Sequence, residues 1–267
     1  MGEVPHDRWG DAEAYERYVG RWSRLVARDF LGWLQVPQGR AWVDIGCGTG
    51  ALSSRVLAAC APALVVGIDR SGGFVGAARE RIGDGRARFE IGDATALPLD
   101  PATFDAAVSG LVMNFVPDHV AMLREMVRVT KAGGTVAAYV WDYAEGMAMM
   151  RVFWDVAMAV RPQDAHLDES HRFPLCQPEA LAGLWQAQGL KAVQVRAIDI
   201  PTVFRDFEDY WAPFLGGQGA APTYLAGVED PVREQIRAHL QARLAPDPAG
   251  PIALSARAWA VRGTVTV

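Results

Sequence analysis

The sequence contains little lysine and no long apolar run. Only Lys131 and Lys191 are lysines among 26 basic residues, and the arginines are scattered among 31 acidic residues, for a formal net charge of −5. A chain that binds nucleic acid usually carries a positive stripe, so we expect no nucleic-acid partner. No apolar run reaches the roughly 18 residues of a membrane span, and the first residues lack the features of a signal peptide. A cytoplasmic location without a membrane partner is therefore expected.

Cysteine is also scarce. Cys47, Cys60 and Cys176 are odd in number and far apart in the sequence. This spacing fits neither a disulfide framework nor a metal site, so we interpret the three as small buried side chains and expect no bound metal. Nothing in the composition distinguishes a monomer from a homodimer.

Short apolar runs alternate with segments of helical periodicity in the first half of the chain. A helix over 11–34 comes first, and five strand-like runs separated by helices follow, from AWVDI to GTVAAYVW. Near-continuous apolar strands between amphipathic helices predict a parallel sheet with helices on both faces. In the second half, a strand, a long excursion and a last strand predict an antiparallel pair that closes the sheet edge. The chain is thus predicted to be one α/β domain with insertions.

The stretch VDIGCGTGALS, residues 43–53, places three glycines between the first strand and a helix. In an open parallel sheet, ligands bind beyond the carboxyl ends of the strands, and glycines in the first exit loop let a ligand lie against the backbone. The pattern alone is weak, because with Ala51 it also fits a dinucleotide-binding loop.

A carboxylate stands at the end of each of the first three strands. Asp44 lies two residues before Gly46, where it would repel a pyrophosphate and attract a cation. Asp69, at the end of the second strand, is suited to accept both hydroxyls of a ribose. Asp93, at the end of the third, is placed to meet an adenine edge. An amine, a ribose and a base without a phosphate describe S-adenosylmethionine.

These motifs carry a resemblance to a known family. In order and spacing, the segments VDIGCGTG, VVGIDRS, IGDATALPLD, FDAAVSGLVMNFVPD and REMVRVTKAGGTVAAYVWD resemble the class I S-adenosylmethionine-dependent methyltransferases, in particular their small-molecule, type 11-like branch. The resemblance implies a Rossmann-like, mostly parallel seven-stranded sheet with an antiparallel last strand. It also implies a cofactor-binding core over 41–142, a cofactor-covering helix within 1–36, and helical lid insertions over 143–178 and 203–250.

The resemblance also implies which residues bind the cofactor. The glycine loop would pack against the methionine part, Asp69 and its neighbour would hold the ribose, and the residues after the fourth strand would lie beside the departing methyl. The residues expected to bind the cofactor are Tyr18, Arg21, Trp22, Asp44, Gly46, Cys47, Gly48, Asp69, Arg70, Asp93, Ala94, Ser109 and Leu111.

Several of these residues have a plainer interpretation. Asp44 is also placed to cap a helix or turn, and Tyr18 and Trp22 fit the apolar stripe of the first helix. Arg21 lies just off that stripe, where it would either pair with the cofactor carboxylate or remain on the surface. Cys47 is better suited to packing than to nucleophilic attack.

The chemistry itself requires mainly alignment. Because the methyl group on a sulfonium is already activated, positioning can supply most of the acceleration, and a base is needed only if the acceptor must lose a proton. The weak candidates for that base are His119, Asp142 and Tyr143. Several relatives carry a histidine pair near Met113 and Asn114, and this chain lacks it.

The acceptor is expected to be a small molecule. The Asp- or Asn-Pro-Pro-aromatic motif of DNA amino-methylating enzymes and the Pro-Cys nucleophile of cytosine C5 enzymes are both missing after the fourth strand. From 141 to 224 the chain holds 12 of its 25 aromatic residues. Such residues could line an acceptor pocket, pack the extra helices onto the sheet, or form a dimer contact. On the first interpretation, the acceptor-binding residues are Trp141, Asp142, Arg172, Tyr210 and Trp211.

Three functions remain open on the sequence. A small-molecule methyltransferase that works by direct in-line transfer is favoured. A nicotinamide-dependent oxidoreductase is disfavoured by Asp44, and cofactor titration distinguishes it. A non-catalytic S-adenosylmethionine-binding relative would share the same cofactor site, because a fold does not determine turnover, and product detection distinguishes it.

Overall fold

A computed structural model of the chain describes residues 20–216, 219–244 and 250–266. All seven predicted strands form. They are β1 Ala41–Ile45, β2 Leu64–Asp69, β3 Ala87–Ile91, β4 Phe104–Gly110, β5 Thr130–Trp141, β6 Lys191–Phe204 and β7 Ile252–Thr264.

The helices within the described ranges are α1 Arg21–Leu34, α2 Ala51–Ala59, α3 Gly72–Arg81, α4 His119–Val129, α5 Ala148–Val160, α6 Pro178–Ala187, α7 Phe207–Trp211, α8 Ala220–Gly227 and α9 Asp230–Leu244. The sequence pattern predicts the first six, whereas after residue 204 it indicates only an aromatic stretch followed by helix. The first half of the long helix predicted over 11–34 lies outside the described residues. The polar segment after α5 contains short 3-10 turns.

The strands make one seven-stranded sheet in the order β3-β2-β1-β4-β5-β7-β6. The first five strands are parallel to their neighbours, and β7 runs antiparallel to β5, from Trp141 opposite Ala258 to Thr135 opposite Thr264. The predicted fold class is therefore confirmed. The strand order reverses between β1 and β4, so a ligand crevice is expected beyond their carboxyl ends.

Two apolar layers cover the sheet. On one face, side chains of α4 and α6 pack with strand residues such as Val43 and Val136, and the indole of Trp185 donates a hydrogen bond to the carbonyl of Val136. On the other face, Val75 of α3 packs with Phe89 of β3. Burial of alternate residues on both faces explains why the strands read as near-continuous apolar runs.

Strand β5 begins earlier than predicted. The sequence pattern places its start at Gly134, whereas the structure extends it back to Thr130 with a register shift against β4 between Phe104 and Ala106. Gly133 adopts a φ of 77° within this irregularity. The glycine pair predicts a strand boundary from the sequence, whereas in the structure it marks an irregularity inside the strand, as glycines often do at bulges.

The contacts divide the chain into two compact units. The sheet unit comprises residues 23–141, 174–198 and 258–267, and the helical unit comprises the described parts of 1–22, 142–173 and 199–257. The predicted lid insertions, 143–178 and 203–250, fall mostly in the helical unit. The assignment of the whole chain to a single domain remains a prediction.

The helical unit has an aromatic core of its own. The rings of Phe153 and Phe214 stack with centroids 4.6 Å apart, and Trp154 and Tyr224 approach to 5.3 Å. The Tyr210 hydroxyl donates a hydrogen bond to the carbonyl of Met149 at 3.0 Å. Aromatic residues bury large areas, so this core stabilises the helical unit.

Across the described residues, no helix has both the length and the apolar character that crossing a bilayer requires.

Candidate functional site

The glycine loop lies at the carboxyl end of β1 and is held in place by β2. Gly46, Gly48 and Gly50 all have positive φ, at 72°, 52° and 84°, which glycine adopts without a steric penalty. The backbone N–H groups of Gly46 and Cys47 donate to the carbonyl of Ile68 at 2.7 and 3.0 Å. A Cβ on Gly48 would meet no atom within 4 Å, so the loop presents its backbone to open space at that position.

Asp44 is buried beneath this loop. Its Oδ2 accepts a hydrogen bond from the Ser53 hydroxyl at 2.7 Å, and its Oδ1 has no partner among the described residues. Burial raises the pKa of Asp44 to about 7, and the hydrogen bonds from the Ser53 hydroxyl and backbone N–H oppose that rise. The carboxyl group therefore has one committed oxygen and one available oxygen. Because Ser53 belongs to the first turn of α2, this hydrogen bond also links the end of β1 to that helix.

Asp69 ties the loop to the second strand. Its Oδ2 accepts from the backbone N–H of Gly48 at 2.9 Å, and its Oδ1 accepts from the N–H of Ser71 at 2.8 Å. A carboxylate has about four lone-pair sites, so each oxygen can accept one further hydrogen bond. This is the capacity that binding two ribose hydroxyls would require.

Asp93 lies at the exposed end of β3. Its Oδ1 accepts from both the N–H and the hydroxyl of Thr95 at 2.8 Å, and these bonds lower the pKa of Asp93. Arg70, also exposed, is close enough to add a small electrostatic contribution in the same direction. Ala94 beside it is half-buried. The Asp93 carboxylate is therefore ionised at neutral pH.

Unpartnered polar atoms also occur where β4 and β5 end. Ser109, the Asn114 side chain and Trp141 are buried, and the Ser109 Oγ, the Asn114 Oδ1 and the Trp141 Nε1 have no hydrogen-bond partner among the described residues. Leu111 is buried with a φ of 64°, and its N–H donates to the carbonyl of Tyr139. Buried polar atoms are nearly always paired, so those at the ends of β1, β4 and β5 are available to a polar ligand.

The residues at this edge fit S-adenosylmethionine. Asp44 offers a buried oxygen to an ammonium group, Asp69 offers acceptors to a ribose, and Gly48 offers open backbone. Cys47 is better explained by packing, since burial raises the pKa of its thiol and it lies in a cluster with Val75.

The predicted cofactor contacts from the first helix have a different environment. Arg21 pairs with Asp209 at 3.0 Å, and its guanidinium lies 4.5 Å from the ring centroid of Trp22 and 4.8 Å from that of Phe204. The guanidinium of Arg21 is thus already paired with a carboxylate inside the helical unit. Tyr18 lies outside the described residues.

The weak base candidates are divided between the two units. Asp142 is buried, and its Oδ1 accepts from the N–H of Glu145 at 3.1 Å, which is the bonding of a turn cap. Tyr143 packs against Phe173 with centroids 4.9 Å apart. His119 is the first residue of α4, directly after the N-cap Asp118. Geometry singles out none of them as the base.

The predicted acceptor residues lie in separate environments, and all of them are buried except the half-buried Arg172. Trp141 ends β5 in the sheet unit. In the helical unit, the Arg172 guanidinium lies 5.1 Å from the Phe173 centroid, and Tyr210 and Trp211 are in the aromatic core. Core packing accounts for Tyr210 and Trp211, and their contact with an acceptor remains a prediction.

Sequence reasoning missed Ser53, Asn114 and Cys176. Ser53 is a small polar residue on the buried side of α2, and its position in the third place of that helix is a signal for a partner of Asp44. Asn114 is the single polar residue of the run LVMNFV, which marks it as unusual. Cys176 gave no sequence signal.

Comparison with known proteins agrees with the geometry. Residues 43–138 match the family model described as a methyltransferase domain. The chain is 28% identical over 254 residues to 2-methyl-6-phytyl-1,4-hydroquinone methyltransferase of a Synechocystis species, covering 86% of this chain and 78% of that one. It is 33% identical over 177 residues to demethylmenaquinone methyltransferase of a Roseiflexus species, covering 61% and 72%.

A solved structure shows the same fold. Phosphoethanolamine N-methyltransferase 2 of Haemonchus contortus, determined with S-adenosyl-L-methionine, superimposes with a TM-score of 0.59 at 17% identity, over 96% of this chain and 56% of that one. The fold, the matched domain and the polar residues at the carboxyl ends of the strands lead to one conclusion. The chain belongs to the class I S-adenosylmethionine-dependent methyltransferases and is an enzyme that methylates small molecules.

Proposed function

We propose that the acceptor is a small, moderately apolar metabolite with a hydroxyl group on a ring, and that the methyl group moves to it by direct in-line transfer. The observation that carries the proposal is the segment after β4. Residues 109–116, SGLVMNFV, contain no charged side chain, and their polar members Ser109 and Asn114 are buried and neutral. A buried charge on the acceptor would find no counter-charge in this segment, so a neutral acceptor is favoured.

The relatives support the same acceptor class. Two of them are named for a phytyl hydroquinone and for demethylmenaquinone, which are apolar molecules built on an oxygenated ring. A hydroxyl group on such a ring can donate a hydrogen bond to a neutral oxygen of the protein. We propose the ring with its hydroxyl as the recognised part of the acceptor in this chain.

The cofactor site is assigned on the same basis. S-adenosylmethionine supplies a methyl group bonded to a positively charged sulfur. We propose that Asp44 holds the cofactor's ammonium group, that the backbone at Gly46 and Gly48 packs against its methionine part, and that Asp69 binds its ribose. Asp93 would bind the adenine edge, since its backbone and carboxylate lie at the end of the next strand.

The residues after β4 would then align the reacting atoms. Ser109 and Leu111 follow the switch point of the strand order, and we propose that they border the sulfur and the methyl group. Exclusion of water and fixed alignment supply most of the acceleration in such a transfer. Asp142, Tyr143 and His119 remain candidates for removing a proton from the acceptor.

Transfer of a labelled methyl group tests the proposal. The protein is incubated with S-adenosylmethionine carrying a deuterated methyl group and with 1,4-naphthohydroquinone under a reductant, and the products are analysed by mass spectrometry. We expect the label in the hydroquinone. trans-Aconitate, a triacid, is the matched charged acceptor and should stay unlabelled. Label in the triacid but not in the hydroquinone would contradict the neutral acceptor.

A further inference from the structure

Asn114 is held in an unusual way for a buried amide. It lies in the 3-10 turn Met113–Phe115 that follows β4, and its side chain is 9% exposed. Its Nδ2 donates to the sulfur of Cys176 at 3.6 Å, whereas its Oδ1 is buried with no partner among the described residues. An amide that satisfies its donor side and leaves its acceptor side open is suited to receive a hydrogen bond from a ligand.

Cys176 fixes the orientation of this amide. The thiol is 1% exposed and donates to the carbonyl of Trp141 at 3.2 Å. Because the thiol hydrogen is directed to that carbonyl, the sulfur presents a lone pair to Asn114, and a lone pair accepts from N–H but repels an amide oxygen. The carbonyl of Trp141 thus selects the orientation of the thiol, and the thiol selects the orientation of the Asn114 amide.

The position of Asn114 relates it to the acceptor. It lies five residues beyond Ser109, at the carboxyl ends of the strands that flank the switch point, and all the residues of this arrangement belong to the sheet unit. An amide oxygen only accepts hydrogen bonds, so its partner must carry an O–H or N–H group. The neutral surroundings favour an uncharged donor, which a ring hydroxyl provides.

We infer that Asn114 binds the hydroxyl group of the acceptor through its Oδ1, and that Cys176 is a positioning residue that keeps this oxygen directed towards the acceptor. The inference rests on the proposed function, because it presupposes an acceptor with a hydroxyl on an apolar ring. It assigns to the chain an acceptor-recognition group in place of the histidine pair that it lacks.

Calorimetry on the full chain saturated with S-adenosylhomocysteine tests the inference, with reduced 1,4-naphthohydroquinone as the probe. Asn114→Leu, which keeps the branched shape but cannot accept a hydrogen bond, should bind the probe roughly tenfold more weakly, as expected for the loss of one hydrogen bond at a buried site. Its affinity for S-adenosylhomocysteine should stay within about twofold. A melting curve on each variant checks the fold.

The Cys176 variants separate positioning from packing. Cys176→Ser keeps a donor for Trp141 and an acceptor for Asn114, so it should retain most of the affinity for the probe. Cys176→Ala is matched in size but lacks both, and should weaken probe binding by about threefold. If serine and alanine weaken probe binding equally, the positioning role is wrong.

Two further outcomes would overturn the assignment of Asn114. One is an Asn114→Leu variant that binds the probe like the wild type, or that loses S-adenosylhomocysteine affinity as strongly as probe affinity. The other is a wild-type protein that binds S-adenosylhomocysteine but not the probe. This last result would contradict the proposed ring-hydroxyl acceptor and the role of Asn114, but not the proposed cofactor site. If the wild-type protein does not bind S-adenosylhomocysteine, the proposed cofactor site itself is wrong.

Discussion

At the scale of single residues, Asp44 couples cofactor binding to pH. Burial raises the pKa of its carboxyl group to about 7, so below pH 7 the free protein holds a proton there. An ammonium group beside Oδ1 favours the ionised form, which lowers this pKa in the complex. Binding below pH 7 must therefore expel the proton, and affinity should fall as the pH is lowered from 7 to 6.

The proton count measures this effect. Calorimetric titration with S-adenosylmethionine at pH 6, in buffers with different ionisation enthalpies, should report release of about one proton per cofactor bound. Asp44→Asn is the matched control, since it keeps the shape and cannot ionise, and it should release none. An equal proton release from both proteins would assign the linkage to another group.

Asp69 is expected to matter for the cofactor more than for the fold. Asp69→Ala should weaken cofactor binding by roughly 2–4 kcal/mol, because hydrogen bonds to a charged group contribute about 1.5–3 kcal/mol each. The variant also loses the acceptors for the N–H groups of Gly48 and Ser71, so Asp69→Asn, which keeps one acceptor oxygen, is the comparison. Calorimetry on variants with native melting curves gives the affinities. Unchanged affinity in Asp69→Ala would place the ribose contact elsewhere.

At the scale of elements, the loop between β1 and α2 contrasts two glycines in similar backbone conformations. A Cβ on Gly46 would lie 2.5 Å from a methyl carbon of Val112, whereas a Cβ on Gly48 would meet nothing within 4 Å. Both have positive φ, which costs an alanine about 1–2 kcal/mol. Gly46→Ala should therefore lower the melting temperature clearly more than Gly48→Ala does. Gly46→Ala should also lower the cofactor affinity.

A second substitution distinguishes steric clash from backbone strain. Val112→Ala removes both methyl carbons that an added Cβ on Gly46 would meet, although the Cβ of residue 112 remains at 2.8 Å. The pair Gly46→Ala and Val112→Ala should thus recover part of the stability lost in Gly46→Ala. Thermal unfolding of the single and double variants measures the coupling, and purely additive effects would assign the whole loss to strain.

The elements themselves were largely predictable from the sequence. Apolar runs flanked by glycine or aspartate gave β1, β2 and β4 to within one residue, because buried parallel strands leave a strong local pattern. The early start of β5 was missed, since a bulge depends on its pairing with β4, which no local pattern reports. Element order also predicted the antiparallel β7.

The candidate site was predictable only in part. Asp44, Asp69 and Asp93 can be named as candidates from the sequence because strand ends meet at one edge of a sheet, which is a property of topology. The role of Cys176 was not predictable, because it depends on contacts with Asn114 and Trp141, 62 and 35 residues away in the chain. The partner of Arg21, Asp209, is 188 residues distant and escaped prediction for the same reason.

At the scale of the whole molecule, the helical unit carries most of the aromatic excess. Trp211 is 3% exposed and stacks on Phe207, so Trp211→Ala should cost roughly 3–5 kcal/mol of unfolding free energy. If Trp211 also borders the acceptor, the folded variant should lose acceptor turnover while its cofactor affinity changes by less than about 1 kcal/mol. Steady-state kinetics at saturating cofactor, below the melting temperature, measures this. Turnover unchanged in the folded variant would restrict Trp211 to packing.

We propose above all that the carboxylates at the ends of β1, β2 and β3 bind S-adenosylmethionine, and that one of them, Asp44, would repel the pyrophosphate of a dinucleotide. The most direct test is calorimetric titration of the wild-type protein with S-adenosylmethionine and, separately, with NAD. We predict micromolar affinity for S-adenosylmethionine, on the order of −8 kcal/mol, and far weaker binding of NAD, whose pyrophosphate would lie near Asp44. Tighter binding of NAD than of S-adenosylmethionine would contradict the account.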